Sequence, residues 1–439
     1  MSVRGGMSLL RRSRARGGGG GEGHHLETPT DGSLSGGRLM ARDLAALRAR
    51  LESLGAQHRE EQVRPVVALP RLPDGCRLED TPFGPLAVRR DWFDAAPAEP
   101  SVAIPRCLPF LPSELERPVF LDTETTGLSG GTGTVAFLVG IAWPDDRRLA
   151  MAQFFLSDLD QEKALLWAVG QCLSAHRVLV TYNGRTFDWP LLQTRLLMLK
   201  AKEGWPDLPH LDLLGLVRRI FKPRLPDCTL RTVEEAVLAL QRDEDLPGWL
   251  IPSSYFGWLR GAPVSALEAV FAHNRQDVLS MPLLLSRLEA ILDDARDLDP
   301  IDRFSRARFL EARRLEEEAL VEYRHLWDSG LGGFQRGALG IRLARLLGRK
   351  GQWQQARAVL EECWMTQCYP YPAAIELAKL LEHRARDPAA ARRLVLEALS
   401  LLAVAAVPDA RWQADLERRR DRLDRRLGLR AELPLALTG

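Results

Sequence analysis

Cysteine is scarce in this chain: six in 439 residues, at positions 76, 107, 172, 228, 363 and 368, with no Cys-x-x-Cys pair. Such scatter excludes a zinc ribbon and a disulfide framework, and it suits a reducing cytoplasm. Long hydrophobic runs are missing too. No apolar stretch approaches the roughly 18 residues that span a bilayer, so no membrane association is expected. The Met7–Leu10 segment is too short for a signal-peptide core. Charge of one sign is not in excess, because the formal total is only +2. What remains, 46% hydrophobic and 27% charged residues, describes an ordinary globular chain with length for two or three domains. The near-neutral total hides an asymmetry. Residues 301–439 carry 25 Lys and Arg against 19 Asp and Glu, whereas the first 300 residues are net negative by four.

Four regions follow from the pattern. Residues 1–39 are rich in Gly, Ser and Arg, with an unbroken Gly17–Gly21 run, and cannot bury enough apolar surface to fold. They form a basic disordered tail or precede the true start, since Met40 opens a helical pattern through Leu44, Leu47, Leu51 and Leu54. Residues 40–116 comprise that helix and a Pro-rich lead-in, extended, β-rich or irregular. Over 117–297 strands come first (119–123, 134–143, 148–156) and strand–helix alternation follows: strands at 178–182 and 210–214, helices at 161–174, 189–202, 230–240 and 264–295. This order predicts an α/β domain with a mixed sheet flanked by helices. Residues 301–439 read as helical repeats. Leu343-Ala344-Arg345-Leu346-Leu347 returns 34 residues later as Leu377-Ala378-Lys379-Leu380-Leu381, and Ala356 returns as Ala390. A 34-residue period of two helices is the tetratricopeptide spacing.

Chemistry concentrates in the centre. In Val119-Phe120-Leu121-Asp122-Thr123-Glu124, residues i and i+2 of a strand share a face, so two carboxylates project together. Like charges so placed need a cation, and hard divalent ions prefer oxygen ligands. Asn183 stands at a predicted turn and Asp188 at a helix start, where an aspartate can serve simply as a cap. His273 and Asp277 are i and i+4 on a predicted helix, hence neighbours on one face.

Taken in order, Asp122/Glu124, Asn183…Asp188 and His273…Asp277 resemble the three motifs of the DEDD exonucleases, which have the ribonuclease-H-like fold. The wording is closer still to the YprB-like family, through Leu121-Asp122-Thr123-Glu124-Thr125-Thr126-Gly127, Tyr182-Asn183-Gly184 and His273-Asn274-Arg275-Gln276-Asp277-Val278. The resemblance covers roughly residues 117–295. It implies that Asp122, Glu124, Asp188 and Asp277 bind two Mg²⁺ or Mn²⁺ ions, that His273 is the candidate general base, and that Thr125, Asn183 and Asn274 contact substrate. It also implies 3′–5′ hydrolysis of single-stranded DNA or RNA. The sequence departs from the pattern at one point. Histidine-type enzymes place the histidine five residues before the last aspartate and tyrosine-type enzymes a tyrosine four before it; here a histidine stands at the tyrosine spacing.

Other segments admit two readings. Asp212 either supports the site or caps a strand end. The Ser129–Thr134 glycine-rich stretch either admits a terminal nucleotide or is a turn, and it lacks the Gly-Lys-Ser/Thr ending of a nucleotide-triphosphate loop. Aromatics between Trp249 and Arg260 either fill the core or stack on bases. The arginines between Arg418 and Arg430 bind nucleic acid or form a solvated face with ion pairs. A structure-specific endonuclease and a non-catalytic adaptor that works through its repeats are the alternatives to the exonuclease, and the repeats are the expected protein-binding element.

Overall fold

A computed structural model describes residues 71–94, 117–127, 133–202, 204–242, 246–330, 332–405 and 409–429. Its strands, β1 (Cys76–Thr81), β2 (Gly84–Asp94), β3 (Pro118–Thr125), β4 (Ala136–Asp145), β5 (Arg148–Phe155), β6 (Val178–Thr181) and β7 (His210–Asp212), form one sheet in the order β1-β2-β5-β4-β3-β6-β7. The β3–β6 and β6–β7 pairs are parallel, and the other neighbours are antiparallel. β6 reads Val-Leu-Val-Thr with every residue buried, as a parallel strand covered on both faces must be.

The helices that cover the sheet are α1 (Glu162–Ser174), α2 (Asp188–Met198), α3 (Leu213–Ile220), α4 (Leu230–Val233), α5 (Ile251–Leu259) and α6 (Ser265–Asp293). α6 crosses β3 and β4. Close approach is possible because β4 has a glycine there: a Cβ on Gly140 would stand 2.2 Å from Asn274 Oδ1 and 2.9 Å from Val278 Cγ2. Among the described residues seven further helices follow: α7 (Pro300–Ala312), α8 (Glu316–Asp328), α9 (Gly333–Arg349), α10 (Trp353–Met365), α11 (Pro370–His383), α12 (Pro388–Ala403) and α13 (Ala410–Arg426). Each packs on the next, and α9, α11 and α13 also meet two helices apart, which is how stacked helix pairs bury apolar faces that none could bury alone. The mixed sheet with its helices, followed by an all-α region, is the expected fold class.

Several expectations change in detail. The sheet starts upstream of residue 117: Cys76–Asp94 is a hairpin whose second strand pairs with β5 from Ala87↔Phe155 to Asp94↔Arg148. Only Leu86, Ala87 and Val88 of that hairpin are buried, so its apolar signal is short. The strand predicted to run to Leu214 ends at Asp212, whose side chain accepts from Leu214 N and starts α3 instead. The helix predicted over 230–240 keeps α-geometry only to Val233, continues as a π-turn over Glu234–Leu238 and stops at Ala239 with φ 55°. Tyr255 and Trp258 are core residues, with Tyr255 stacked 4.0 Å from Phe137, whereas Trp249 is exposed. The tail of residues 1–39, the helix expected from Met40 and glycines 130 and 131 lie outside the described residues.

Candidate active site

β3 carries two carboxylates, of which Glu124 is buried and Asp122 half-buried. Asp122 and Glu124 lie on the face covered by α6, where Asn274 Nδ2 donates to Asp122 Oδ2 at 2.9 Å. Asn274 is fully buried, and its Oδ1 accepts from Gln153 Nε2 of β5 at 2.9 Å. Gln153 also donates to the Phe271 carbonyl. The chain Gln153–Asn274–Asp122 therefore fixes one carboxylate from behind. This corrects the expectation that Asn274 touches substrate: a residue with no exposure and both amide ends committed orients Asp122 instead.

Asp188 arrives from another direction. Asn183, at φ 67°, turns the chain after β6, and Gly184 fits because a Cβ there would press on Thr181 Cβ at 2.6 Å. Asp212 holds this turn by accepting from Asn183 N at 2.8 Å and Arg185 N at 3.2 Å, while it also caps α3. Both readings of Asp212 thus hold at once. Asn183 Oδ1 accepts from Thr186 Oγ1. Asp188 is the first residue of α2, after the cap position, and accepts from Thr123 Oγ1 at 2.5 Å. Thr125, at the end of β3, donates its hydroxyl to the Gly127 carbonyl.

On α6, Asp277 is shared. Its Oδ1 accepts from Arg242 Nη2 at 2.5 Å, and its Oδ2 lies 3.6 Å from His273 Nε2. Arg242 also makes a two-pronged pair with Glu234, which is completely buried and accepts from Ser280 Oγ. Sequence reasoning missed Arg242, Glu234, Gln153 and Thr123. Gln153 had a signal, being the polar exception in Leu149-Ala150-Met151-Ala152-Gln153-Phe154-Phe155. Arg242 and Glu234 had none, since the π-turn that brings them to Asp277 is not visible in the pattern.

The electrostatics bind the set together. Burial, then the nearby charges of Asp277, Glu124 and Asp188, hold the Asp122 carboxyl well above the ordinary range. Burial pushes Asp188 up to about 6 against the Thr123 hydrogen bond. Burial also raises Asp277, with His273 and Arg242 opposing it. Among the described residues no three ligands already stand together as a metal cage. The donors are oxygen ligands all the same, and the mutual repulsion felt at Asp122 is what a divalent cation would relieve.

The RNase_H superfamily model matches residues 119–289, a span holding all four carboxylates. The Bacillus subtilis (strain 168) protein YprB is 31% identical over 288 residues, 64% of this chain and 68% of YprB. This chain belongs to the YprB family of RNase H-like proteins. A solved family B DNA polymerase from the hyperthermophilic archaeon Pyrobaculum calidifontis aligns at 17% identity and a TM-score of 0.32, over 48% of this chain and 29% of the polymerase. That likeness is too faint to add to the argument. For the YprB family the superfamily match means a nuclease-type fold, and Asp122, Glu124, Asp188 and Asp277 all lie within the matched span.

Proposed function

We propose that the chain is a metal-dependent nuclease, a 3′–5′ exonuclease acting on the end of single-stranded DNA or RNA in the cytoplasm. The observation that carries this reading is Asp122, half-buried on β3 within the fields of Asp277, Glu124 and Asp188. A carboxylate partly withdrawn from water and surrounded by carboxylates is costly without a cation. Asp122, Glu124, Asp188 and Asp277 would hold two Mg²⁺ or Mn²⁺ ions, which would supply activation of the attacking water and stabilisation of charge on the leaving 3′ oxygen.

The chain's own residues do the rest. Asn274, braced by Gln153, sets the direction of Asp122. Thr123 orients Asp188. His273, one helical turn before Asp277, takes the proton of the attacking water, a role that suits an imidazole at neutral pH. Thr125 and Asn183 border the same strand and turn and contact the terminal nucleotide. The helix pairs α9/α10 and α11/α12, in 34-residue register, act as tetratricopeptide-like units that recruit a protein partner.

The test is digestion of 5′-labelled single-stranded DNA and RNA with Mg²⁺ or Mn²⁺, comparing the wild type with Asp122→Ala/Glu124→Ala. A ladder that shortens from the 3′ end, absent in the variant and in EDTA, is expected. Equal cleavage of a circular substrate would replace the exonuclease with an endonuclease. No cleavage of either polymer with either metal would refute catalysis.

A further inference from the structure

The run of arginines that stands out in the sequence is not the free positive surface of this molecule. On α13, Arg418 pairs with Asp415 and Arg420 with Asp421, while Arg419, Arg422 and Arg426 converge on Glu382, whose side chain is 2% exposed. Most of that charge is spent inside the fold. Elsewhere in the helical region the same economy holds, as in Arg303–Glu322, Arg336–Glu362, Arg345–Glu376 and Arg392–Asp424.

One place breaks the pattern. Where α3 meets α7 and α9, a groove of about 1090 Å³ is lined by Arg218, Arg219, Lys222, Arg308 and Arg313, together with Arg342 and Arg349. Glu311 is the acidic residue of the lining and already serves Arg342 and Arg349. Among the described residues the other five cations have no carboxylate within ion-pair reach. Arg219 and Arg313 are instead held near the ring of buried Phe309, at 5.9 and 5.3 Å. Cations crowded this way repel one another, and a focused positive field concentrates polyanions.

α3 links the groove to the candidate active site, because its cap, Asp212, holds the Asn183–Arg185 turn. Arg218 and Arg219 lie just under two turns further, roughly 10 Å along the axis.

We propose that the groove between α3, α7 and α9 is the track for the phosphate backbone of the single strand, built jointly by the nuclease-type domain and the helical region. It rests on the nuclease reading for its direction, not for its existence. Non-specific strand binding of this kind is chiefly counterion release.

The test uses the full chain in EDTA, so that nothing is cut. Binding of fluorescent 20-nucleotide DNA and RNA is followed by anisotropy across a salt series. Arg218→Gln/Lys222→Gln/Arg308→Gln is expected to bind both polymers about tenfold or more weakly, with the salt slope lowered by about 2 for three lost phosphate contacts. Arg418→Gln/Arg420→Gln/Arg425→Gln, which removes the same charge from α13, is expected to bind as the wild type does. An unchanged affinity and slope in the groove variant overturns the proposal and leaves an acidic protein as the occupant. An equal loss in both variants overturns it as well, since net charge then suffices. If binding depends on the groove while no metal supports cleavage, the track stands and the nuclease reading falls.

Discussion

At Asp277 one carboxylate meets a buried guanidinium and an imidazole, and the cluster behind it constrains what can be changed. Removing Arg242 leaves Glu234, with no exposure, and Asp277 without their cation. Breaking a buried pair from one side costs about 3–5 kcal/mol, so Arg242→Met should lower the unfolding free energy measured by urea titration by about that much, and adding Glu234→Gln should restore part of it. Asn274→Ala removes the donor that fixes Asp122 without touching the carboxylates. Loss of such a supporting contact typically costs 10–100-fold in metal affinity or activity, so a weaker Mn²⁺ isotherm should accompany slower cleavage while the fold persists. Glu289 gives the clearest pH signature. Burial pushes its carboxyl from the ordinary 4.5 up to about 7, and among the described residues its buried Oε1 has no hydrogen-bond partner. A folded-state value above the unfolded one favours the folded protein while the group is protonated. Stability is therefore lost as pH rises from about 4.5 through 7 and is flat above that. Glu289→Gln should melt progressively higher than the wild type between pH 5 and 8; a constant difference over that range would refute the assignment.

Among the elements, the crossing of α6 over β3 and β4 sets the site. It brings Asn274 to Asp122 and Asp277 into the same field, and it depends on the missing side chain at Gly140. Gly140→Ala places a methyl 2.2 Å from Asn274 Oδ1, beyond what rotamer adjustment absorbs. Overpacking costs typically 1–3 kcal/mol, so thermal melting should show that loss, with Asn274→Ala in the same chain relieving part of it. Strands β3 to β6 and helices α1, α2 and α6 were legible because long apolar periods mark buried faces. The β1–β2 hairpin was not, since its edge strand is largely exposed and its buried run is three residues long. The first two residues of α3 were read as the end of a strand because Leu213-Leu214 is apolar in either conformation, and the cap at Asp212 decides between them.

Over the whole molecule, the sheet and the helical region share one hydrophobic cluster. It joins Phe120, Val178 and Val180 of the sheet to Leu284 of α6, Phe304 of α7 and Leu320 of α8. Buried Arg306 of α7 donates to the carbonyls of Ile291 and Leu292 and so satisfies the end of α6. Asp302 pairs with Arg224 at 2.6 Å. Contacts of this type make the junction part of a core, unlike the sparse contacts of a flexible domain boundary. The full chain is therefore expected to unfold in a single transition by circular dichroism, and a fragment ending at Asp297 is expected to melt lower and aggregate through its uncovered apolar face. Two separate transitions would contradict the shared core.

Strand and helix period sufficed, from the sequence alone, for an α/β domain with a mixed sheet, because side-chain periodicity is local to each element, and the resemblance carried by the ordered motifs pointed to the RNase H-like fold. Which side chains stand behind the site's carboxylates, and which cations stay unspent, was decided by tertiary structure. Gln153, Arg242 and Glu234 act through contacts spanning 35 to 121 positions, and the groove cations come from three separate segments of chain. Spacing along a sequence carries no record of such encounters; only packing of the elements creates them.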